Sequence, residues 1–243
     1  MRVVRYLEIA DSLARRVHDG EFGAGRLLPS EASLSAEYGV SRVTVRRALE
    51  EGRRAGLLDS RQGYGWFVAA DPLRQTLGRL GTVESQLAAE GVHVERRILD
   101  FSVVPAPPEV AASLGPGKVL RVRRVNLADG VPFARVTVWC PVGLAAGLAR
   151  EDLERSSFYD LLPVVLGGAT QTIGAAAASA ADAALLEVPV GAPVLRCGRV
   201  TTSADGQPVL VSEFVFPAHR TEFVVDLPPT DASIAPSGLR LVD

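Results

Sequence analysis

Apolar residues at Tyr6, Ile9, Ala10, Leu13 and Val17 follow the spacing of a helix with one buried stripe, and Asp19 with Gly20 ends the pattern. After the loop "EFGAGRLLP", Ser30 is placed to cap a short helix, "EASLSAEY", which stops at Gly39, a residue free to turn left-handed. Ser41 caps a third helix. On a helical wheel Val45, Ala48, Leu49 and Gly52 fall within about 100° of one another, while Arg42, Val43, Arg46 and Arg47 share the other side. One face packs and the other is charged. Next, "LLDSRQGYGWFVA" sets apolar residues on both sides of a Gly63–Gly65 turn and predicts a two-stranded hairpin. Two helices joined by a tight turn, the second bearing basic residues from its start and followed by a hairpin, form the pattern of a winged helix-turn-helix.

"ADPLRQ" around Pro72 interrupts the patterning and predicts a linker, residues 71–76, between a domain at 1–70 and another at 77–243. In the second, Thr82 caps a helix "VESQLAAE" closed by Gly91, and "VERRILDFSVVP" alternates as a strand. Two hairpins follow, turning at Asp129–Gly130 and Asp205–Gly206; both carry "ADG", a hint of a duplicated module. Between them "SSFYDLLPVVLG" is a helix candidate and "SAADAALLEV" a helix capped by Ser179. Hairpins with segregated helices predict an antiparallel α+β domain.

Composition narrows the function classes. The 243 residues are 47% hydrophobic and 22% charged, with no apolar run long enough to span a bilayer and no cleavable signal at the N-terminus, so a cytoplasmic location is expected. The net charge of -2 argues against a general polyanion binder. Its distribution is uneven: through Ala70 there are 11 Arg against 9 acidic residues. Lys118 is the one lysine, so the preference for arginine belongs to the whole chain and is no binding device by itself. Cys140 and Cys197 stand apart in apolar surroundings, and His18, His93 and His219 are scattered, so neither a metal nor another cofactor is expected. No Ser-His-Asp set, no Cys beside a His and no phosphate-cradling glycine loop marks an enzyme.

The stretch "LPSEASLSAEYGVSRVTVRRALEEGRRAGLLDSRQGYGWFVA" resembles the winged-helix signature of the GntR family of bacterial transcription regulators. The remainder, with its Asp-Gly hairpins, "GAPVL" and "HRTEFVVDL", is similar to the UTRA effector domain of the HutC branch, whose fold resembles chorismate lyase. The resemblance implies a homodimeric repressor that leaves double-stranded operator DNA when a small-molecule effector binds. A lyase-like enzyme and a constitutive DNA-binding protein whose second domain only dimerises are the alternatives. By the same resemblance Arg42 and Arg46 reach a guanine edge or phosphates, Ser41 and Thr44 donate to phosphate, and Gly63 brings the wing backbone near the minor groove. Tyr64 stands where many relatives carry a basic residue, and Ala32 replaces the base-reading arginine of "PSER", for which Arg47 is the candidate substitute. For the effector the implied residues are Thr82, Arg124, Asn126, Tyr159 and Glu213. Asn126 replaces a second arginine, Glu84 would repel an anion, and Val136 and Leu210 replace acids. An uncharged or weakly anionic effector is therefore expected.

Overall fold

A computed structural model describes residues 5–70, 73–76, 81–89 and 91–225. The N-terminal headpiece contains α1 (Arg5–His18), α2 (Glu31–Glu37) and α3 (Arg42–Arg54), then a wing of β1 (Leu58–Arg61) and β2 (Gly65–Val68). Both expected serine caps form: Ser30 accepts from the Ser33 amide at 3.1 Å and Ser41 from the Thr44 amide at 3.2 Å, each satisfying one of the free N–H groups of a helix start. Gly39 makes the turn between α2 and α3 at φ +60°. The apolar side of α3, Val45, Ala48 and Leu49, is fully enclosed by Ile9, Leu13, Leu34, Leu58 and Trp66. Gly52 completes that side because a Cβ there would sit 2.7 Å from the Leu58 side chain, so α3 and β1 meet only across a glycine.

Within the expected linker, Leu73–Thr76 is a strand, β3, pairing in parallel with β10 (Thr221–Val224); Asp71 and Pro72 lie outside the described residues. The chain thus enters the second domain already hydrogen-bonded to β10, the last strand among the described residues. That domain is built on a six-stranded antiparallel sheet of β4 (Val94–Pro105), β5 (Lys118–Ala128), β6 (Val131–Pro141), β7 (Leu166–Ala177), β8 (Pro193–Ser203) and β9 (Pro208–Pro217). The spatial order is β4-β5-β6-β9-β8-β7. Asp129 and Gly130, both at positive φ, close the β5–β6 hairpin as a primed turn should.

The order is palindromic, and so is the chain path. β4, α5 (Pro108–Leu114), β5 and β6 form one unit, and β7, α8 (Ala180–Leu186), β8 and β9 another, joined where β6 pairs with β9. The helix of each unit lies on the other unit's last strand, α5 on β9 and α8 on β6. The suspected module repeat is therefore an architectural one. The helix expected in "SSFYDLLPVVLG" shortens to α7 (Phe158–Leu161), and from Leu166 the chain is strand β7 instead. Two short helices, α5 and α6 (Arg150–Arg155), carry too little periodicity to be anticipated. α4 (Val83–Ala89), α6 and α7 cover one sheet face, over a core that includes Val122, Val136, Phe133, Leu153, Leu210 and Phe216.

Leu49 is completely buried, so Leu49→Ala removes transfer energy and leaves a hole. Urea unfolding followed at Trp66, in a Trp139→Phe background, is expected to show a loss of about 2–5 kcal/mol in the headpiece transition.

Candidate nucleic-acid interface and effector pocket

The charged side of α3 faces away from the headpiece core. Arg42, Arg46 and Arg47 are exposed, and Val43 beside them is 66% exposed. Ser41 spends its Oγ on the helix cap and shares a 2.9 Å contact with the Thr44 hydroxyl, so both side chains sit at the helix N-terminus with its free amides. The three arginines are not equivalent. Arg46 donates Nε and Nη2 to the two carboxylate oxygens of Glu31 on α2, at 2.9 and 2.7 Å, and Glu31 also accepts from the Trp66 indole at 3.2 Å. The guanidinium fork holds the Glu31 carboxyl below its ordinary range, against a smaller opposing effect of burial. Glu50 and Glu51, possible partners of this face, pair with Arg53 and Arg54. Among the described residues Arg42 and Arg47 have no paired carboxylate.

The wing tip is arranged otherwise than expected. Gly63 has the left-handed φ of +84°, but a Cβ there would lie 3.6 Å from Pro193 at the start of β8. Tyr64, expected at the DNA surface, is only 5% exposed: its hydroxyl accepts from the Ala218 amide at 3.0 Å and its ring lies 4.3 Å from that of His219. An aromatic ring with a polar tip gains most where the ring is dry and the hydroxyl meets an otherwise free amide, and the second domain offers both. Burial pushes the His219 imidazole down to about 3, so this contact is uncharged at ordinary pH.

In the second domain α4 crosses the sheet at its Arg124 end and encloses a small pocket, with about 30 Å³ of free space. Thr82, Glu84, Arg124, Tyr159, Arg199 and Ser212 are among its polar lining residues; Val138, Leu210 and Phe214 are among its apolar walls. Thr82 caps α4 through a 3.1 Å bond from the Ser85 amide. Glu84 does not stand open to repel a ligand. It is 4% exposed and its Oε1 accepts from Arg124 at 2.8 Å, Asn126 at 2.9 Å and Arg96 at 3.3 Å. Burial works to raise the Glu84 carboxyl, but the Arg124 and Arg96 charges outweigh it and hold the group ionised. Asn126 thus stands behind Glu84, outside the pocket lining.

Glu213 is a second correction. Along β9, Ser212 and Phe214 point to the pocket, so strand alternation sends Glu213 to the opposite face, where it pairs with Arg135 and Arg196. Arg135 also holds Asp182 of α8 at 2.8 Å. The residue that sequence reasoning missed is Arg199. It is 8% exposed, stacks 5.2 Å over Phe214, and donates to the Tyr159 hydroxyl at 3.1 Å, the Gly81 carbonyl at 3.2 Å and Gln171 at 2.7 Å. No carboxylate pairs with it among the described residues. The signal was available, since in "VLRCGRVTT" Arg199 shares the parity of Leu195 and Cys197, the apolar and inward set.

Other chemistry is sparse. Cys140 and Cys197 are free and buried, with thiols pushed up to about 12 by burial. Among the described residues no group of three or more His, Cys, Asp or Glu is placed to hold a metal, and no helix is long and apolar enough to cross a membrane.

Comparison with known proteins agrees with both halves. Residues 5–68 match the family model of bacterial regulatory proteins, gntR family, and residues 89–222 match the UTRA domain. The chain is 30% identical over 226 residues to the HTH-type transcriptional repressor NagR of Bacillus subtilis, spanning 90% of this chain and 93% of that protein. It is 35% identical over 231 residues to the HTH-type transcriptional regulator Rv0792c of Mycobacterium tuberculosis, spanning 92% and 86%. The crystal structure of PhnF from Mycobacterium smegmatis superposes with a TM-score of 0.61 at 27% identity, covering 94% of this chain and all of that one. Two family models in series cover most of the chain, and the relatives they agree with are named transcriptional regulators: the chain belongs to the GntR family, HutC branch, and is a ligand-responsive DNA-binding transcriptional regulator, not an enzyme.

Proposed function

We propose that the protein is a homodimeric repressor that a small metabolite, bound between α4 and the sheet, releases from a palindromic operator. The observation that carries the ligand half of this reading is the unmet hydrogen-bonding capacity of the pocket. Arg199 lacks a carboxylate, and Nε and Nη1 of Arg124 are buried without a partner. Buried donors left unpaired are costly, so a ligand that brings acceptors gains what the empty pocket forgoes. Because Glu84 already supplies a negative charge at Arg124, a phosphate dianion there would face a carboxylate, whereas a single anionic group fits beside Arg199 and Tyr159. The effector we infer is a metabolite carrying one carboxylate, with an apolar portion against Phe214 and Leu210. NagR is named a repressor, which supports the sign of the regulation.

For DNA, we assign Arg46 to base reading, since a guanidinium already aimed by Glu31 loses little freedom on contact, and Arg42 and Arg47 to phosphates. Gly63 and Tyr64 would complete the DNA face only in an arrangement that frees the wing. The dimer we place at β7. This edge strand spans Leu166–Ala177 without one charged residue or proline, and its Ile173 is 42% exposed. The opposite edge, β4, carries Glu95, Arg96, Arg97 and Asp100. Unprotected edges of that length invite a second strand, and a two-fold pairing of β7 with its copy closes the assembly.

Three measurements test these assignments. In a thermal-shift panel, monocarboxylates are expected to raise the melting temperature and sugar phosphates are not, with the response lost in Arg199→Ala; tight sugar-phosphate binding by calorimetry overturns the ligand class. With a duplex selected from random sequence by the wild-type protein, Arg46→Ala is expected to flatten base preference by about 1–3 kcal/mol at one position per half-site, and Arg42→Ala to reduce the salt slope by about 0.9. Light scattering should find Ile173→Arg monomeric and the parent protein dimeric.

A further inference from the structure

The headpiece rests on the second domain through its wing, not through α3. Arg61 donates to the Ala218 carbonyl at 3.1 Å, the Tyr64 hydroxyl takes the Ala218 amide, and the Phe67 ring lies 5.0 Å from that of His219. The Tyr64 ring fills a dry recess made by Ala183, Leu186, Ala192, Val194 and Val215, where α8 meets β8 and β9. Arg220 passes so close to Gly25 that a Cβ there would lie 2.7 Å from its Nε, while its Nη1 donates to the Pro132 carbonyl at 2.9 Å. At the margin Arg26 and Glu187 pair at 3.3 Å. The Ala218–Arg220 turn is thus gripped on both sides by the headpiece. Arg42, Arg46 and Arg47 take no part.

This grip is chemically selective. A wing-tip tyrosine whose ring is dry and whose hydroxyl is matched to a backbone amide belongs to a protein interface, since an arginine or lysine at the same place would bury an unpaired charge. The glycine that would let backbone approach a duplex is the one facing Pro193. One hairpin has two uses. We propose that the recess between α8 and the Ala218–Arg220 turn is an intramolecular docking surface for the wing, with Tyr64 as its anchor, and that a docked headpiece does not engage DNA. Docking then withholds part of the population from the operator, and apparent affinity falls in proportion to the fraction docked.

The proposal rests on the DNA-binding reading and is tested separately from it by a cross-link between the wing tip and the start of β8, where a Cβ at Gly63 would lie 3.6 Å from Pro193. In the full chain, Gly63→Cys with Pro193→Cys is oxidised with diamide; the buried Cys140 and Cys197 do not compete, their thiols being raised to about 12. The expected result is an intramolecular disulfide, at least about tenfold weaker retention of the selected duplex, and recovery on reduction. Failure of the disulfide to form, or oxidised protein that binds DNA as well as reduced protein, overturns the proposal. Should neither the reduced variant nor the parent retain any duplex, the DNA-binding reading fails, while disulfide formation still reports docking. Tyr64→Phe, which keeps the ring and deletes only the bond to Ala218, is expected to tighten duplex binding about two- to tenfold; unchanged affinity speaks against Tyr64 as the anchor.

Discussion

An arginine side chain cannot discard its charge on entering a protein, so every buried guanidinium must be met by acceptors, and that requirement organises the second domain. Arg124, Arg135 and Arg199 are each more than nine-tenths buried, and each is met differently. Arg135 is met by carboxylates from α8 and β9, which ties helix to sheet. Arg124 is met in part by Glu84, which draws α4 down onto the sheet and leaves little free space beneath it. Arg199 is met only by neutral oxygens, so its charge remains for something else to balance. Two solutions are structural and one is left open. The open charge balance at Arg199 is the feature on which the proposed ligand site rests.

The headpiece was legible because its signals are local. Serine caps, a helical stripe and glycine turns act over three or four residues, and no distant contact overrides them. The hairpins were legible for the same reason. Strand β7 was not, because "LGGATQTIGAAA" offers glycines and alanines where alternation should show, and its strand state comes from pairing with β8. Glu213 has the opposite parity on β9 to the pocket residues Ser212 and Phe214, and Arg199 the inward parity on β8, so strand alternation carries both placements. Tyr64 lay beyond any local argument, since its partner Ala218 is 154 positions away. Glu84 failed in a third way. Its type and place on α4 were readable, but whether a carboxylate repels a ligand or neutralises an arginine depends on which side chains surround it.

The two sites share their scaffold. β8 carries Arg199 in the pocket and Pro193 beneath the wing; β9 carries Ser212 and Phe214 in the pocket and runs into the turn that holds Tyr64. Arg199 lies six positions along β8 from Pro193, a span of about 20 Å along one strand. Whatever fills the pocket presses on the strands against which the wing leans. β3 and β10 add a second connection, since the chain leaving the headpiece is paired with the strand that follows the docking turn.

The palindromic sheet has a consequence for how the chain is made. As the polypeptide leaves the ribosome, β4 to β6 emerge first, yet the helix that lies on β6 is α8 and the strand beneath α5 is β9, both synthesised later. Neither half can finish its own cover, so the nascent first half keeps an uncovered apolar surface until residues near Phe216 are free, and the two halves must complete folding as one cooperative event.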